Sequence, residues 1–173
     1  MKHLCLYVII LLAGLMMACS DNDSFSTSRS DLLTFEADTI ELDTIFSTVA
    51  SPTYAFWVFN HSSDGIRLST IRLKKGNQTG FRVNVDGSYL DNTMGSLVND
   101  IEVRKGDSIH VFVELTAPEN KQQDVQLIED DLVFQLESGV VQQVNLRCYT
   151  WDAISVSIIM LWVEVRSKLM PRH

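Results

Sequence analysis

The sequence predicts an all-β protein folded as a two-layer antiparallel sandwich, and three observations carry that prediction. Short runs rich in Val, Ile, Thr, Phe and Tyr alternate apolar and polar residues with a period of two. Clusters of Gly, Asn, Asp and Ser separate the runs at turn spacing. No stretch of long amphipathic helical pattern interrupts them. The chain has 173 residues, 46% of them hydrophobic, which is enough apolar material for one sizeable core and therefore one domain.

Taken in order, strands are expected near Leu32–Phe35, Thr39–Leu42, Thr44–Val49, Thr53–Asn60, Ile66–Lys74, Gly80–Val85, Asn99–Val103, Ser108–Thr116, Asp131–Leu136 and Val140–Thr150. The pattern is clearest where Ile109, Val111, Val113 and Leu115 share one face, leaving Ser108, His110, Phe112 and Glu114 on the other. In the fourth run Tyr54, Phe56 and Val58 alternate with Ala55, Trp57 and Phe59, so both faces are apolar and a central strand is expected. Asn60 to Gly65, Lys75-Gly76-Asn77, Asp86-Gly87-Ser88 and Lys105-Gly106-Asp107 supply the turns. Gly87 to Val98 is the least patterned stretch and reads as a loop. Seven or more short strands over 32–153 point to an immunoglobulin-like sandwich, with a small barrel as the alternative.

Ahead of the strands stands an address. Met1 to His3 form a short n-region and Leu4 to Leu15 an unbroken apolar run of signal-peptide length, too short for a comfortable membrane span. Ala18-Cys19 followed by polar Ser20 to Asp23 resembles a bacterial lipobox. That resemblance implies a signal peptide over 1–18, cleavage before Cys19, and acylation of the Cys19 thiol, so that membrane lipid is a partner. Two or three acyl chains, at about 0.8 kcal/mol per buried methylene, anchor a protein stably. Residues 20–31 are nearly all small or polar and complete a tether over 19–31. With Cys5 removed and Cys19 alkylated, Cys148 alone remains, and no internal disulfide is available to the mature chain.

The charge balance narrows the partners. Fourteen basic against 22 acidic residues give a net charge of −8, and the pI is near 4.8, so nucleic acid is not an expected partner. His61 and His110 are the histidines available to a site, and neither sits in a metal-binding spacing. No nucleophile elbow or phosphate-binding glycine loop occurs, so no enzyme, metal or cofactor is expected. The acidic groups Glu129-Asp130-Asp131 and Asp38, Glu41, Asp43 admit a hard-cation reading, but acidic turns that keep a sandwich soluble are the favoured account.

The runs LDTIFSTVASPTYAFWVFNHSSDGIRLSTIRLKKGNQTGFRVNVDGSYL (42–90), DIEVRKGDSIHVFVELTAP (100–118) and LVFQLESGVVQQVNLRCYTWDA (132–153) resemble envelope lipoproteins of Bacteroidota. In that family an Ig-like module follows the lipobox, and a longer region expected to be a right-handed β-helix follows the module. The resemblance implies a module that binds or spaces rather than catalyses, anchored in the outer membrane. Ser20-Asp21-Asn22-Asp23 is similar to the acidic tags that send such proteins to the cell surface. Asp38-Thr39-Ile40, Asp43-Thr44-Ile45 and Asp107-Ser108-Ile109 resemble the short acceptor motif of Bacteroidota O-glycosylation, which makes Thr39, Thr44 and Ser108 candidate modification sites.

The tail over 154–173 departs from that family. It carries three basic residues and one acidic, whereas 19–152 carries 10 basic and 21 acidic, and Ile154 to Val163 is almost wholly apolar. Two readings stand: a truncated or frameshifted product, or a genuine last strand in which Ile154, Val156 and Ile158 pack on the sandwich. The functional expectation is a non-enzymatic, lipid-anchored spacer or interaction module of the cell envelope. The alternative is a surface glycan-binding or adhesin-type module using exposed aromatics such as Tyr89 or Trp57.

Overall fold

A computed structural model describes residues 24–90, 92–119 and 124–152; the signal region with Cys19, and the tail after Asp152, lie outside the described residues. Ten strands form two five-stranded sheets: β1 (Leu33–Phe35), β2 (Thr39–Phe46), β3 (Tyr54–Asn60), β4 (Ile66–Leu73), β5 (Phe81–Val85), β6 (Ser88–Tyr89), β7 (Leu97–Val103), β8 (Ser108–Leu115), β9 (Gln126–Leu136) and β10 (Val141–Trp151). The first sheet runs β1-β3-β8-β5-β6 and the second β2-β10-β9-β4-β7. This is an immunoglobulin-like sandwich, as the strand pattern predicts.

Each strand turns one face inward. In β8 the residues Ile109, Val111, Val113 and Leu115 are buried, and so are Val144, Leu146 and Cys148 of β10, so the period of two read from the sequence is the division between core and solvent. Phe134 packs at the centre of the core with its ring 5.0 Å from that of Phe35, which comes from the opposite sheet.

Five expectations need correction. The sandwich is not wholly antiparallel, because β2 runs parallel to β10. The chain leaves β1 at one sheet and crosses over residues 36–38 to the other without reversing, so it arrives beside β10 with its direction kept. The expected strands Thr39–Leu42 and Thr44–Val49 are one strand: Cys148 pairs with Leu42 and Thr150 with Ile45, so Asp43 and Thr44 bulge out opposite Tyr149 instead of ending the ladder.

The expected loop Gly87 to Val98 contains β6, a short 3-10 turn at Asn92–Met94, and the start of β7. And β3 lies inside its sheet between β1 and β8, but one of its apolar faces is open to solvent. Strand β9 also begins five residues before its expected start at Asp131, for a reason that lies in Asp130, an inward-facing carboxylate that is almost fully buried.

Residues 24–31, the described part of the segment read as a tether, lie along the body. Phe25 bridges to Gly65 in parallel, with Ser26 N–H donating to Gly65 O at 2.8 Å and Gly65 N–H to Ser24 O at 2.8 Å. The Arg67 guanidinium sits 4.4 Å from the centre of the Phe25 ring.

Candidate functional site

The outer face of the first sheet collects aromatic side chains that have no place in the core. Register fixes their rows: Trp57 lies opposite His110, Ala55 opposite Phe112, Phe112 opposite Asn84, and Asn84 opposite Tyr89. The Trp57 and His110 rings stack at 4.0 Å and are parallel within 1°, while His110 and Phe112 meet at 4.3 Å in a tilted contact. Phe59 stacks on His61 at 5.6 Å. A cross-strand pair such as Trp57 with His110 stabilises the sheet by about 0.2–1 kcal/mol, yet Trp57 stays 41% exposed and Tyr89 71%.

One row further along, the face turns polar. Glu114 lies opposite Arg82 and accepts from its Nη2 at 2.9 Å; the Thr53 hydroxyl donates to the same carboxylate at 2.6 Å, and Arg82 Nη1 donates to Thr116 at 2.8 Å. The Thr53 hydroxyl first, and then the Arg82 guanidinium, hold the Glu114 carboxyl below the usual carboxylate range. Thr53, Arg82, Asn84, Tyr89, Phe112 and Glu114 together line a shallow depression of about 280 Å³. Ala55, the smallest residue of its row, leaves the Phe112 ring uncrowded on the β3 side. The result is an apolar floor with fixed hydrogen-bonding groups of both kinds beside it, and with its two charges mutually neutralised.

The other candidates fall elsewhere. His61 and His110 make ring contacts, and neither histidine forms an ion pair among the described residues. Asp130, from the acidic run, is buried and fully engaged: it accepts from Thr79 Oγ1 at 2.9 Å, from Lys75 N–H at 3.0 Å and from Asp131 N–H at 2.8 Å. It therefore staples the loop after β4 to β9 and is not turned toward a cation. Asp131 meets Lys74 and Asn145, and the Asn145 amide first, then Lys74, keeps its carboxyl low. Glu41 pairs with Arg147 at 2.6 Å. Among the described residues no group of three or more His, Cys, Asp and Glu is placed to hold a metal ion.

Thr39 and Thr44 are exposed on the edge strand β2, and Ser108 is half-buried at the start of β8. Cys148 is buried, its Sγ 3.2 Å from the Asp43 carbonyl oxygen, and burial pushes its thiol pKa up. Cys19 lies outside the described residues.

Sequence reasoning named Trp57 and Tyr89 but missed that Phe112, Asn84, Arg82 and Glu114 complete their surface. The signal was present in part, since Phe112 breaks the polar alternation of Ser108, His110 and Glu114. The pairing of β5 with β8 that brings Arg82 and Asn84 alongside is a long-range fact of the fold.

No family model matches the chain, and no curated protein matches it either. Several solved structures are similar in fold. A lipoprotein from Bacteroides thetaiotaomicron is 13% identical with a TM-score of 0.44, covering 75% of this chain and 87% of that one. The PapD-like domain 7 of human CEP192 is 10% identical with a TM-score of 0.44, covering 78% and 94%. The VesB protease of Vibrio cholerae is 13% identical with a TM-score of 0.42 over 72% of this chain, which spans about a third (33%) of the length of that protein.

Proposed function

We propose that the chain is a lipid-anchored interaction module of the bacterial envelope, tied to the outer membrane through acylated Cys19 and presenting the aromatic face of its first sheet to a ligand. The observation that carries this reading is the outward-facing row Tyr89, Asn84, Phe112 with Trp57 and His110 beside it, flanked by Arg82, Glu114 and Thr53, in which Tyr89 and Trp57 are exposed and Phe112 half-buried. A pure spacer gains nothing from large aromatics in water; a binding face does, because desolvating them supplies the affinity and the polar flank supplies the orientation. The sheet edges support the same choice. Strands β1 and β6 have three and two residues, β2 is bulged, and β7 carries a left-handed residue at Asp100, φ 57°. Such edges discourage strand addition and leave the faces for recognition.

Within this reading a glycan is the favoured ligand class. A sugar ring offers a C–H face to Phe112 or Tyr89 and hydroxyls to groups that both donate and accept, and the Arg82–Glu114 pair provides both without a net charge. Trp57 and His110 extend the platform along the strand.

Two measurements test the proposal. Replacing Cys19 by Ala is expected to release a folded chain from the membrane fraction, and palmitate still incorporated in that variant would refute the anchor. Replacing Phe112 and Tyr89 together by Ala is expected to lower retention on a panel of immobilised glycans by tenfold or more, taking about 1–3 kcal/mol for each lost aromatic contact. Unchanged retention on every glycan bound by the parent chain, or no glycan bound at all, removes the glycan reading.

A further inference from the structure

The outer face of the second sheet changes character abruptly along its strands. Over most of its length the cross-strand rows are polar and paired: Asn145 with Asp131, Glu41 with Arg147, and Arg67 with Glu102 and Glu137. In the last two rows large apolar side chains take over, beside the exposed Asp43–Thr44 bulge of β2. Tyr149 of β10 stands opposite Leu127 of β9, and Trp151 of β10 opposite Phe46 of β2. These four large side chains are between 38 and 51% exposed and form one apolar patch at one end of the sheet. A face that is mostly polar elsewhere gains nothing of its own by gathering four large apolar side chains at one end in water.

The chain itself indicates what covers the patch. Strand β10 ends at Trp151, inside the patch, and Asp152 is the last described residue before Ile154 to Val163, the most apolar stretch outside the signal region. We propose that residues 154–163 of this same chain seat on Phe46, Leu127, Tyr149 and Trp151. The reach is ample. Crossing the three strands β2, β10 and β9 takes about 10 Å at a strand spacing near 4.8 Å, which roughly four extended residues provide after a tight turn. In an extended segment Ile154, Val156 and Ile158 would fall on one side and suit a flat apolar surface. Charge agrees as well, since the tail brings three basic residues and one acidic to a body over 19–152 with 10 basic and 21 acidic. The inference does not depend on the ligand face, which lies on the other sheet.

Proximity-driven disulfide formation tests it on the full mature chain. Leu127→Cys is combined in turn with Val156→Cys, Ile158→Cys and Met160→Cys, and the same three are combined with Glu102→Cys, which lies on the same outer face but on the distant strand β7. At least one Leu127→Cys pair is expected to close within a single chain about tenfold faster than its Glu102→Cys counterpart, as a high effective concentration requires. Equal rates, or disulfides only between chains, overturn the proposal, and the second result would assign the patch to another copy. As an independent readout without cysteines, hydroxyl-radical labelling of Tyr149 and Trp151 is expected to be several-fold slower in the full chain than in one ending at Asp152, and equal labelling counts against the proposal.

Discussion

Asn60 shows how much one side chain does at the end of the sandwich. It is fully buried at the last position of β3; its amide nitrogen donates to the carbonyls of Asp64, Val103 and Arg104 at 2.9 to 3.1 Å, and its amide oxygen accepts from Ser62 N–H at 2.9 Å. One planar group thus ties the β3–β4 turn to the end of β7. Asn60→Asp has the same shape but faces three carbonyl oxygens with a carboxylate, and is expected to cost about 3 kcal/mol in denaturant unfolding, as buried groups left without partners do. Gly80 makes the matching case for the backbone. Its φ is +84°, and a Cβ there would lie 2.2 Å from the Thr116 carbonyl oxygen, so Gly80→Ala is expected to destabilise by about 3 kcal/mol in the same measurement. The turn at Asn60 is legible in the sequence as a cluster of turn residues, but the two carbonyls reached across forty residues are not.

The arm at 24–31 and the β5–β8 pair are the elements whose behaviour is most open to test. A Cβ on Gly65 would meet the Phe25 ring at 2.8 Å, so Gly65→Ala must displace that ring and loosen the bridge it caps. Because the ring is the end of a side chain and the body keeps its core, the expected cost is small, about 1 kcal/mol, while tryptic cleavage after Arg29 is expected to accelerate markedly. An unchanged cleavage rate would mean that the bridge does not hold the arm.

On β8, the Glu114 carboxyl is held low by Thr53 and Arg82. A carboxyl with a lowered native pKa adds stability that is complete above its unfolded value, about 4.3, and is lost as the pH falls through the lowered native value. Unfolding free energy is therefore expected to be insensitive to this group near neutral pH, and Glu114→Gln is expected to flatten part of the acid-side decline. Since the pair is partly exposed, the effect is modest and shrinks further with salt.

At the scale of the whole molecule, Cys148 reports on the cooperativity of the sandwich. Its thiol is buried in the core between the sheets and burial raises its pKa, so it resists reagents until the sheets part. In the Cys19→Ala chain, the rate of thiol labelling at 148 is expected to follow global unfolding across a denaturant series, and labelling at low denaturant with no such dependence would show that β10 opens locally. Residues on both sheets close the core, so no single sheet holds it alone: Val58, Val111 and Val113 come from the first, Leu68, Phe134 and Leu146 from the second.

The sequence by itself determined the fold class and the inward face of nearly every strand, because a period of two in a half-buried strand follows directly from which side chains must leave water. It missed strand continuity wherever a polar residue serves the fold, at the Asp43–Thr44 bulge and at buried Asp130, because a satisfied polar group and a turn look alike in one dimension. Only the tertiary structure decided that β2 runs parallel to β10, that Arg82 and Asn84 stand beside Phe112, and that Trp57 and Tyr89 remain in water. Those facts depend on pairings between distant residues, and the free energy that selects one pairing belongs to the packed molecule, not to any local run of the chain.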